Sequence, residues 1–102
     1  MEVTYSNKKL QKVCEDNREA IKKYGFNMAV ELEECITILK AIDSVESLLM
    51  LDSNHHCHPL RGNRSGQYSM WLINPYRLIF EKADNGELHI VNIIEIVDYH
   101  RG

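Results

Sequence analysis

Three strand patterns follow one another in the stretch QYSMWLINPYRLIFEKADNGELHIVNIIEIV, residues 67–97. The first pattern, QYSMWLI, ends at Asn74-Pro75, because proline lacks the N–H group that a strand ladder needs. YRLIFEK is the second pattern, and the Asn85-Gly86 that follows it is the dipeptide most typical of a tight hairpin turn. The third pattern, LHIVNIIEIV, is long and mostly apolar, which favours a position inside the sheet. The stretch therefore predicts an antiparallel three-stranded meander.

The first half of the chain has helical spacing instead. Apolar residues recur every three or four positions over residues 7–24, and Gly25 suits the end of that helix. A second helical pattern follows, with Asn27 as its candidate cap, and a short third helix is predicted from Ser44 to about Leu51. Because the first two helices are joined by a very short linker, we expect them to form an antiparallel hairpin.

The N-terminal sequence MEVTYS alternates apolar and polar residues, which predicts a short first strand with Val3 and Tyr5 on one face. A chain of 102 residues suits a single domain, which we place over residues 1–102. The elements together predict an α+β fold in which an N-terminal helical hairpin packs on a small, mainly antiparallel sheet.

Charge is distributed unevenly along the chain. The formal net charge of −3 argues against a globally basic nucleic-acid binder. From Ser53 to Phe80, however, there is no Asp or Glu, while Arg61, Arg64 and Arg77 fall within that segment. A local positive patch is sufficient to attract a polyanion within a Debye length of about 8 Å.

The cysteines and the hydropathy pattern indicate the compartment. Cys14, Cys35 and Cys57 are odd in number and widely spaced, which predicts free thiols in a reducing environment rather than a disulfide framework. We see no signal peptide at the N-terminus and no apolar run of the roughly 20 residues needed to cross a bilayer. We therefore expect a soluble cytoplasmic protein without a membrane partner.

Residues 55–58, HHCH, raise the question of a metal site. A structural zinc site usually has four ligands in two separated pairs. Consecutive residues of an extended chain point to opposite sides, so at most two of these four could reach one ion. The chain has no second Cys/His cluster with ligand spacing. We therefore interpret His55, His56 and Cys57 as a polar loop and predict no metal.

The segment HPLRGNRSGQYSMWLINPYRLIFE, residues 58–81, resembles the signature of HigB-type toxins of the RelE superfamily, also called plasmid maintenance system killer proteins. The family pattern has a histidine, a basic loop with two glycines, an aromatic-Ser pair and an aromatic-Arg strand, and typically closes on Asp-Tyr-His. The resemblance covers about the last 45 residues. The matching residues are His58, Leu60, Arg61, Gly62, Arg64, Gly66, Tyr68, Ser69, Tyr76, Arg77, Phe80, Asp98, Tyr99 and His100.

This resemblance implies a toxin of a type II toxin–antitoxin system that inhibits translation. It implies a ribosome-dependent endoribonuclease that cleaves messenger RNA without a metal or other cofactor. The implied partners are a cognate HigA-type antitoxin, the ribosome and its mRNA, with operator DNA reached only indirectly through the antitoxin.

Metal-free RNA cleavage makes the ribose 2′-OH attack the adjacent phosphate, which requires proton transfer and positive charge at the phosphorus. Histidine titrates near neutrality, so His100 is the candidate acid or base. Arg77 is the candidate phosphate ligand, because it stays charged and offers two parallel donors; the alternative is a structural ion pair. Tyr99 is expected to orient the nucleophile or bind the phosphate, or else to be a partly buried core residue.

Four further residues are candidates for RNA binding. Arg61 stands where the family carries a basic residue used on the RNA, and Arg64 and Arg101 add charge nearby. The alternative for Arg61 and Arg64 is that they are solvated loop residues. Trp71 is a candidate for stacking on a base, a contact worth about 1–3 kcal/mol, and otherwise belongs to the core or a partner surface.

The sequence departs from the family pattern in the strand before Asn74-Pro75. Many relatives carry a further basic residue there, whereas this chain has Met70–Ile73. A missing cation would weaken phosphate stabilisation by about 1–3 kcal/mol. One alternative is therefore a non-cleaving, antitoxin-binding module of the same fold that takes part in operator repression. A third possibility is a gyrase-poisoning protein of the same fold, but the presence of Tyr99 and His100 argues against it.

Overall fold

The computed structural model describes residues 1–51 and 53–99 of the chain. The strands in that part are β1 (Glu2–Tyr5), β2 (His58–Pro59), β3 (Gln67–Trp71), β4 (Tyr76–Lys82) and β5 (Ile90–Asp98). They form one sheet with the order β1-β5-β4-β3-β2. The β1–β5 pair is parallel and the other three pairs are antiparallel. The mainly antiparallel α+β fold predicted from the sequence is confirmed.

The predicted meander is the centre of this sheet. β3, β4 and β5 pair in chain order, with a cis Asn74-Pro75 peptide between the first two. The turn between β4 and β5 is closed by a bridge between Asn85 and Leu88, and Gly86 has the positive φ of 60° that this turn requires. β5 lies between β1 and β4, which agrees with its apolar sequence.

The helices are α1 (Lys8–Glu15), α2 (Asn17–Tyr24), α3 (Phe26–Ala41) and α4 (Val45–Met50), followed by a 3₁₀ turn at Gly62–Arg64. The prediction of one helix over residues 7–24 was wrong. The chain is extended at Asp16, whose N–H donates to the Lys12 carbonyl and whose carboxylate accepts from Arg18 N at 3.0 Å. The carboxylate therefore begins a second helix, although the apolar spacing continues through the break.

The start of the long helix α3 also differs from the prediction. Gly25, with φ 90°, both ends α2 and begins α3, so Asn27 lies inside the helix and is not its cap. The predicted third helix is confirmed as α4, where the Ser44 hydroxyl accepts from Ser47 N. None of the helices in the described residues is long and apolar enough to span a membrane.

The core lies between one face of the sheet and the helices. α3 buries a stripe of apolar side chains against it, namely Met28, Ala29, Leu32, Cys35, Ile36 and Leu39. The sheet contributes Met70, Leu78, Phe80, Val91 and Ile93 to the same cluster. Since side chains alternate along a strand, the residues between these point to the opposite face. That second face, which we call the open face, carries the candidate functional residues of β3 and β4.

Candidate functional site

Cross-strand register aligns three residues on the open face. Trp71 of β3 is opposite Arg77 of β4, and Arg77 is opposite Val97 of β5. Directly opposed residues point to the same face of a sheet. Leu78, the neighbour of Arg77, is fully buried in the core on the other side. Arg77 therefore points away from the helices, as the alternation in YRLIFEK predicts.

The Arg77 guanidinium lies close to two aromatic rings. Its central carbon is 5.1 Å from the centroid of Trp71 and 5.7 Å from that of Tyr99, distances at which a cation is attracted to the ring faces. Its Nη1 donates to the Tyr76 carbonyl at 2.9 Å. These contacts hold the side chain without neutralising it. Within the described residues Arg77 has no carboxylate partner, so the alternative of a structural ion pair has no support there.

A backbone hydrogen bond fixes the main chain of Tyr99 near the loop that precedes Arg77. Tyr99 N donates to the Pro75 carbonyl at 3.1 Å, which ties the end of β5 to the loop between β3 and β4. That loop is itself closed, because Leu72 N donates to Tyr76 O and Tyr76 N donates to Ile73 O. The two strands and the loop thus position Trp71, Arg77 and Tyr99 together.

Arg64 crosses the middle of the open face. Its Nη1 donates to Gln67 Oε1 at 2.8 Å, and its Nη2 forms an ion pair with Glu95 Oε2 at 3.0 Å. Gln67 is on β3 and Glu95 on β5, so the side chain spans β4, near the fully buried Ile79 that pairs with Glu95. The Arg64 side chain is only 30% exposed, so it is not a solvated loop residue.

The loop before β3 also carries Arg61. Gly62 and Gly66 have φ values of 64° and 90°, a region that side chains with a Cβ rarely adopt. With these turns the chain folds back so that Leu60 N donates to Gln67 O at 2.9 Å. Arg61 is exposed at the start of the turn. Two arginines thus lie on one short loop, with Arg64 directed over the sheet.

The predicted acid or base His100 and the predicted RNA-binding residue Arg101 lie outside the described residues. Tyr99 is the last residue described before them. The site that the structure does bring together consists of Trp71, Arg77 and Tyr99, with Arg64 on the same face.

The prediction that His55, His56 and Cys57 form a polar loop was wrong for the first of them. His55 is 2% exposed, and its Nδ1 lies 2.8 Å from the Trp71 carbonyl. His56 contacts the Trp71 ring in a tilted arrangement, with 4.1 Å between centroids, and has a φ of 42°, which is unusual for a residue with a Cβ. Cys57 is half-buried, and His58 is exposed in β2. The segment therefore packs against the end of β3.

Two carboxylates that sequence reasoning missed approach His55. Glu31 and Glu34, one turn apart on α3, face its Nε2, and the three groups could hold a metal ion. The signal in the sequence was the three-residue spacing of the two glutamates, which places them on one side of a helix. The nearby thiol of Cys57 is not an activated group, because burial raises its pKa to about 12.

No family model matches the chain, and no curated protein matches it in sequence. Solved toxin structures resemble it over nearly their whole length. The YoeB/ParE toxin from Agrobacterium tumefaciens has a TM-score of 0.64 and 14% identity, with 94% of this chain and 95% of that chain covered. YafQ from E. coli has a TM-score of 0.63 and 16% identity, and a YafQ mutant has 0.63 and 17%; each comparison covers 98% of this chain and 94% of the other. The chain therefore has the fold of the YoeB/ParE toxin and of YafQ.

Proposed function

We propose that this chain is the toxin of a type II toxin–antitoxin system and that it inhibits translation in the cytoplasm by cleaving messenger RNA on the ribosome. The observation that carries the proposal is the position of Arg77, a charged side chain that lies against two aromatic rings on the open face. The shared fold with the YoeB/ParE toxin supports the same conclusion. The proposal includes that the chain is of the HigB type within the RelE superfamily, and this part rests on the sequence pattern alone.

Each residue of the face has a role in the proposed reaction. The Arg77 guanidinium binds the scissile phosphate, because its planar donors match two phosphate oxygens and its charge stabilises the phosphorane. Trp71, which is partly exposed beside it, stacks on a base next to the cleaved bond. The Tyr99 hydroxyl orients the attacking 2′-OH. His100 takes the 2′-OH proton as the 2′ oxygen bonds to phosphorus, and the 5′ oxygen leaves as its P–O bond breaks, protonated by the imidazolium or by water; no step requires a metal or cofactor.

Arg61, Arg64 and Arg101 would bind the RNA backbone on either side of the cleaved bond. The contact of Arg64 with Glu95 sets a condition on this role. Arg64 must exchange the Glu95 carboxylate for an RNA phosphate, or share its N–H donors between the carboxylate and the phosphate. Because the pair is partly exposed, this exchange has a small cost, of about 1 kcal/mol or less.

We propose a HigA-type antitoxin as the partner that restrains the toxin, with operator DNA bound only through it. The apolar side chains that the described part of the chain leaves exposed are candidate contacts. Phe26 is 65% exposed and lies at a cleft with Ile73, and Leu49 is followed by the more exposed Met50. A net charge of −3 does not favour direct binding of DNA by this chain.

The experiment is to map the 5′ ends of messenger RNA from cells that express the chain or a variant. We expect new 5′ ends within translated codons and growth arrest for the unaltered chain, and neither for His100→Ala. The matched control is Arg18→Ala, which removes an arginine from the exposed surface of α2, away from the open face.

Intact messenger RNA and normal growth with the unaltered chain, at confirmed expression, would overturn the nuclease proposal. The second candidate is a non-cleaving antitoxin-binding module. It is favoured by the lack of a basic residue in Met70–Ile73 and by the ion pair that Arg64 already forms with Glu95. That candidate predicts a stable antitoxin complex from a chain that leaves messenger RNA uncut.

A further inference from the structure

The His55 imidazole is buried with one nitrogen unpaired. A carbonyl oxygen only accepts hydrogen bonds, so the 2.8 Å contact with Trp71 O places a hydrogen on Nδ1. The other nitrogen, Nε2, is buried and has no hydrogen-bond partner in the described part of the chain. In the neutral ring Nε2 therefore presents a lone pair, and a buried lone pair without a donor is unfavourable.

The groups that face this lone pair are both acceptors. Glu31 Oε2 lies 3.6 Å and Glu34 Oε1 3.7 Å from Nε2, too far for hydrogen bonds. Ionised carboxylates have no hydrogen to donate to a lone pair. Three electron-pair donors thus lie close together, and a positive charge between them would make the arrangement favourable. Such a charge would be a proton on Nε2 or a metal ion.

Two features of the cluster favour the metal ion. A metal-binding histidine almost always donates its other N–H to a carbonyl or carboxylate, which is what Nδ1 does at Trp71 O. The three ligand atoms also lie within 4.8 Å of one another. Tetrahedral ligands at about 2.0–2.1 Å from zinc are roughly 3.4 Å apart, so the side chains need to move only a few tenths of an ångström to 1 Å or so.

We propose that Glu31, Glu34 and His55 form a binding site for a divalent first-row transition metal, with Zn²⁺ as the best match. One imidazole and two carboxylates suit zinc and its neighbours better than they suit Ca²⁺ or Mg²⁺, which prefer oxygen ligands alone. The fourth position is open to water. The site is independent of the proposed RNA chemistry, in which no step uses a metal.

The position of the cluster defines what the ion does. It joins α3 to the segment before β2, and through the Nδ1 hydrogen bond it reaches the end of β3. The next residue, His56, contacts the Trp71 ring. The ion is therefore a structural clamp that fixes this segment and, with it, the Trp71 ring on the open face. Since the unfolded chain lacks the site, binding stabilises the fold.

The test uses the full chain, stripped of metal with a chelator and titrated with Zn²⁺ by calorimetry, with thermal unfolding and the absorption spectrum of added Co²⁺ as further measurements. We expect one ion per chain and a rise in Tm of about 5 °C or more at saturating Zn²⁺. Glu31→Gln and Glu34→Gln should each weaken binding at least about 10-fold. These variants keep side-chain size at partly exposed positions, so they avoid the folding risk of replacing the buried His55.

Two control variants separate this site from unspecific binding. Glu33→Gln makes the same charge change on the same helix, at an exposed position that faces the cleft between α1 and α3. His58→Gln removes an exposed imidazole of the HHCH segment. Both should bind Zn²⁺ with the affinity of the unaltered chain.

Two results would overturn the proposal. One is equal Zn²⁺ affinity in the unaltered chain, Glu31→Gln and Glu34→Gln. The other combines two observations: Glu31→Gln and Glu34→Gln both lower the Tm in the presence of chelator, and Zn²⁺ leaves the Tm of the unaltered chain unchanged. This result would identify the cluster as a protonated imidazole held by carboxylates. Neither measurement involves RNA, so failure here would leave the nuclease proposal standing, and failure of the nuclease proposal would leave the metal site standing.

Discussion

At the scale of single residues, the open face is defined by how its two arginines are held. Arg77 contacts rings and a carbonyl, which position a guanidinium but leave its charge available to an anion. Arg64 instead has a carboxylate partner in Glu95. The two arginines on this face therefore differ in that one has an anionic partner and the other contacts only neutral groups among the described residues. We interpret Arg77 as the phosphate ligand and Arg64 as a contact that RNA must compete for.

Glu95→Gln should strengthen RNA binding. The change removes the charge that Arg64 pairs with, so one more cation becomes available to phosphate, and the slope of log K against log salt for single-stranded RNA should steepen by up to about 0.7. The ion pair is partly exposed, so its loss should cost about 0.2–1 kcal/mol of stability. Fluorescence anisotropy at several salt concentrations measures the slope.

Glu87→Gln is the matched control for this change, because it removes one negative charge from the exposed turn between β4 and β5. We expect its salt dependence to equal that of the unaltered chain. Equal slopes for Glu95→Gln and Glu87→Gln would show that Arg64 does not bind RNA.

At the scale of elements, short polar contacts set the ends of the helices. Asp16 separates α1 from α2, and Asn7 accepts from Leu10 N at 2.8 Å at the start of α1. Glu15, the last residue of α1, binds Lys40 of α3 at 2.8 Å and the Tyr5 hydroxyl of β1. α1 is therefore joined to both the long helix and the edge of the sheet.

Asp16→Ala should destabilise the fold by about 1 kcal/mol, because α2 loses the side chain that caps its first turn. For a domain of this length that loss lowers the Tm by about 4–8 °C. Asp16→Asn keeps a capping oxygen and should retain most of the stability. Thermal unfolding followed by circular dichroism distinguishes them, and an unchanged Tm for Asp16→Ala would refute the capping role.

Glu15 should make the stability depend on acid pH. Burial alone would raise the pKa of its carboxyl, but hydrogen bonds from Lys40 and Tyr5 outweigh it and hold the pKa below its ordinary value of 4.5. A carboxyl with a depressed pKa contributes stability that is present above the unfolded-state pKa and is lost as the pH falls through the folded-state pKa. Glu15→Gln should therefore lose less stability than the unaltered chain between pH 5 and about pH 3, as measured by urea unfolding. Parallel pH profiles for the two proteins would contradict this linkage.

At the scale of the whole molecule, helices cover one face of the sheet, and the candidate functional residues lie on the other. The meander, α4 and the direction of Arg77 were predictable, because strand alternation, turn residues and caps are local signals in the sequence. The break at Asp16 was missed because the apolar spacing runs through it unchanged. The burial of His55 depends on where α3 packs, which no local pattern records. For the same reason the pairing of Arg64 with Glu95, 31 residues later, was not foreseen.

The central claim is that Arg77 binds the phosphate at which messenger RNA is cut. Single-turnover cleavage of messenger RNA on programmed ribosomes by purified chains tests it most directly. We predict that Arg77→Ala lowers the cleavage rate by about 10²–10³-fold, that Arg77→Lys retains part of the rate because it keeps charge but loses the planar donors, and that Arg18→Ala cleaves normally. Cleavage by Arg77→Ala at the rate of the unaltered chain would contradict the account.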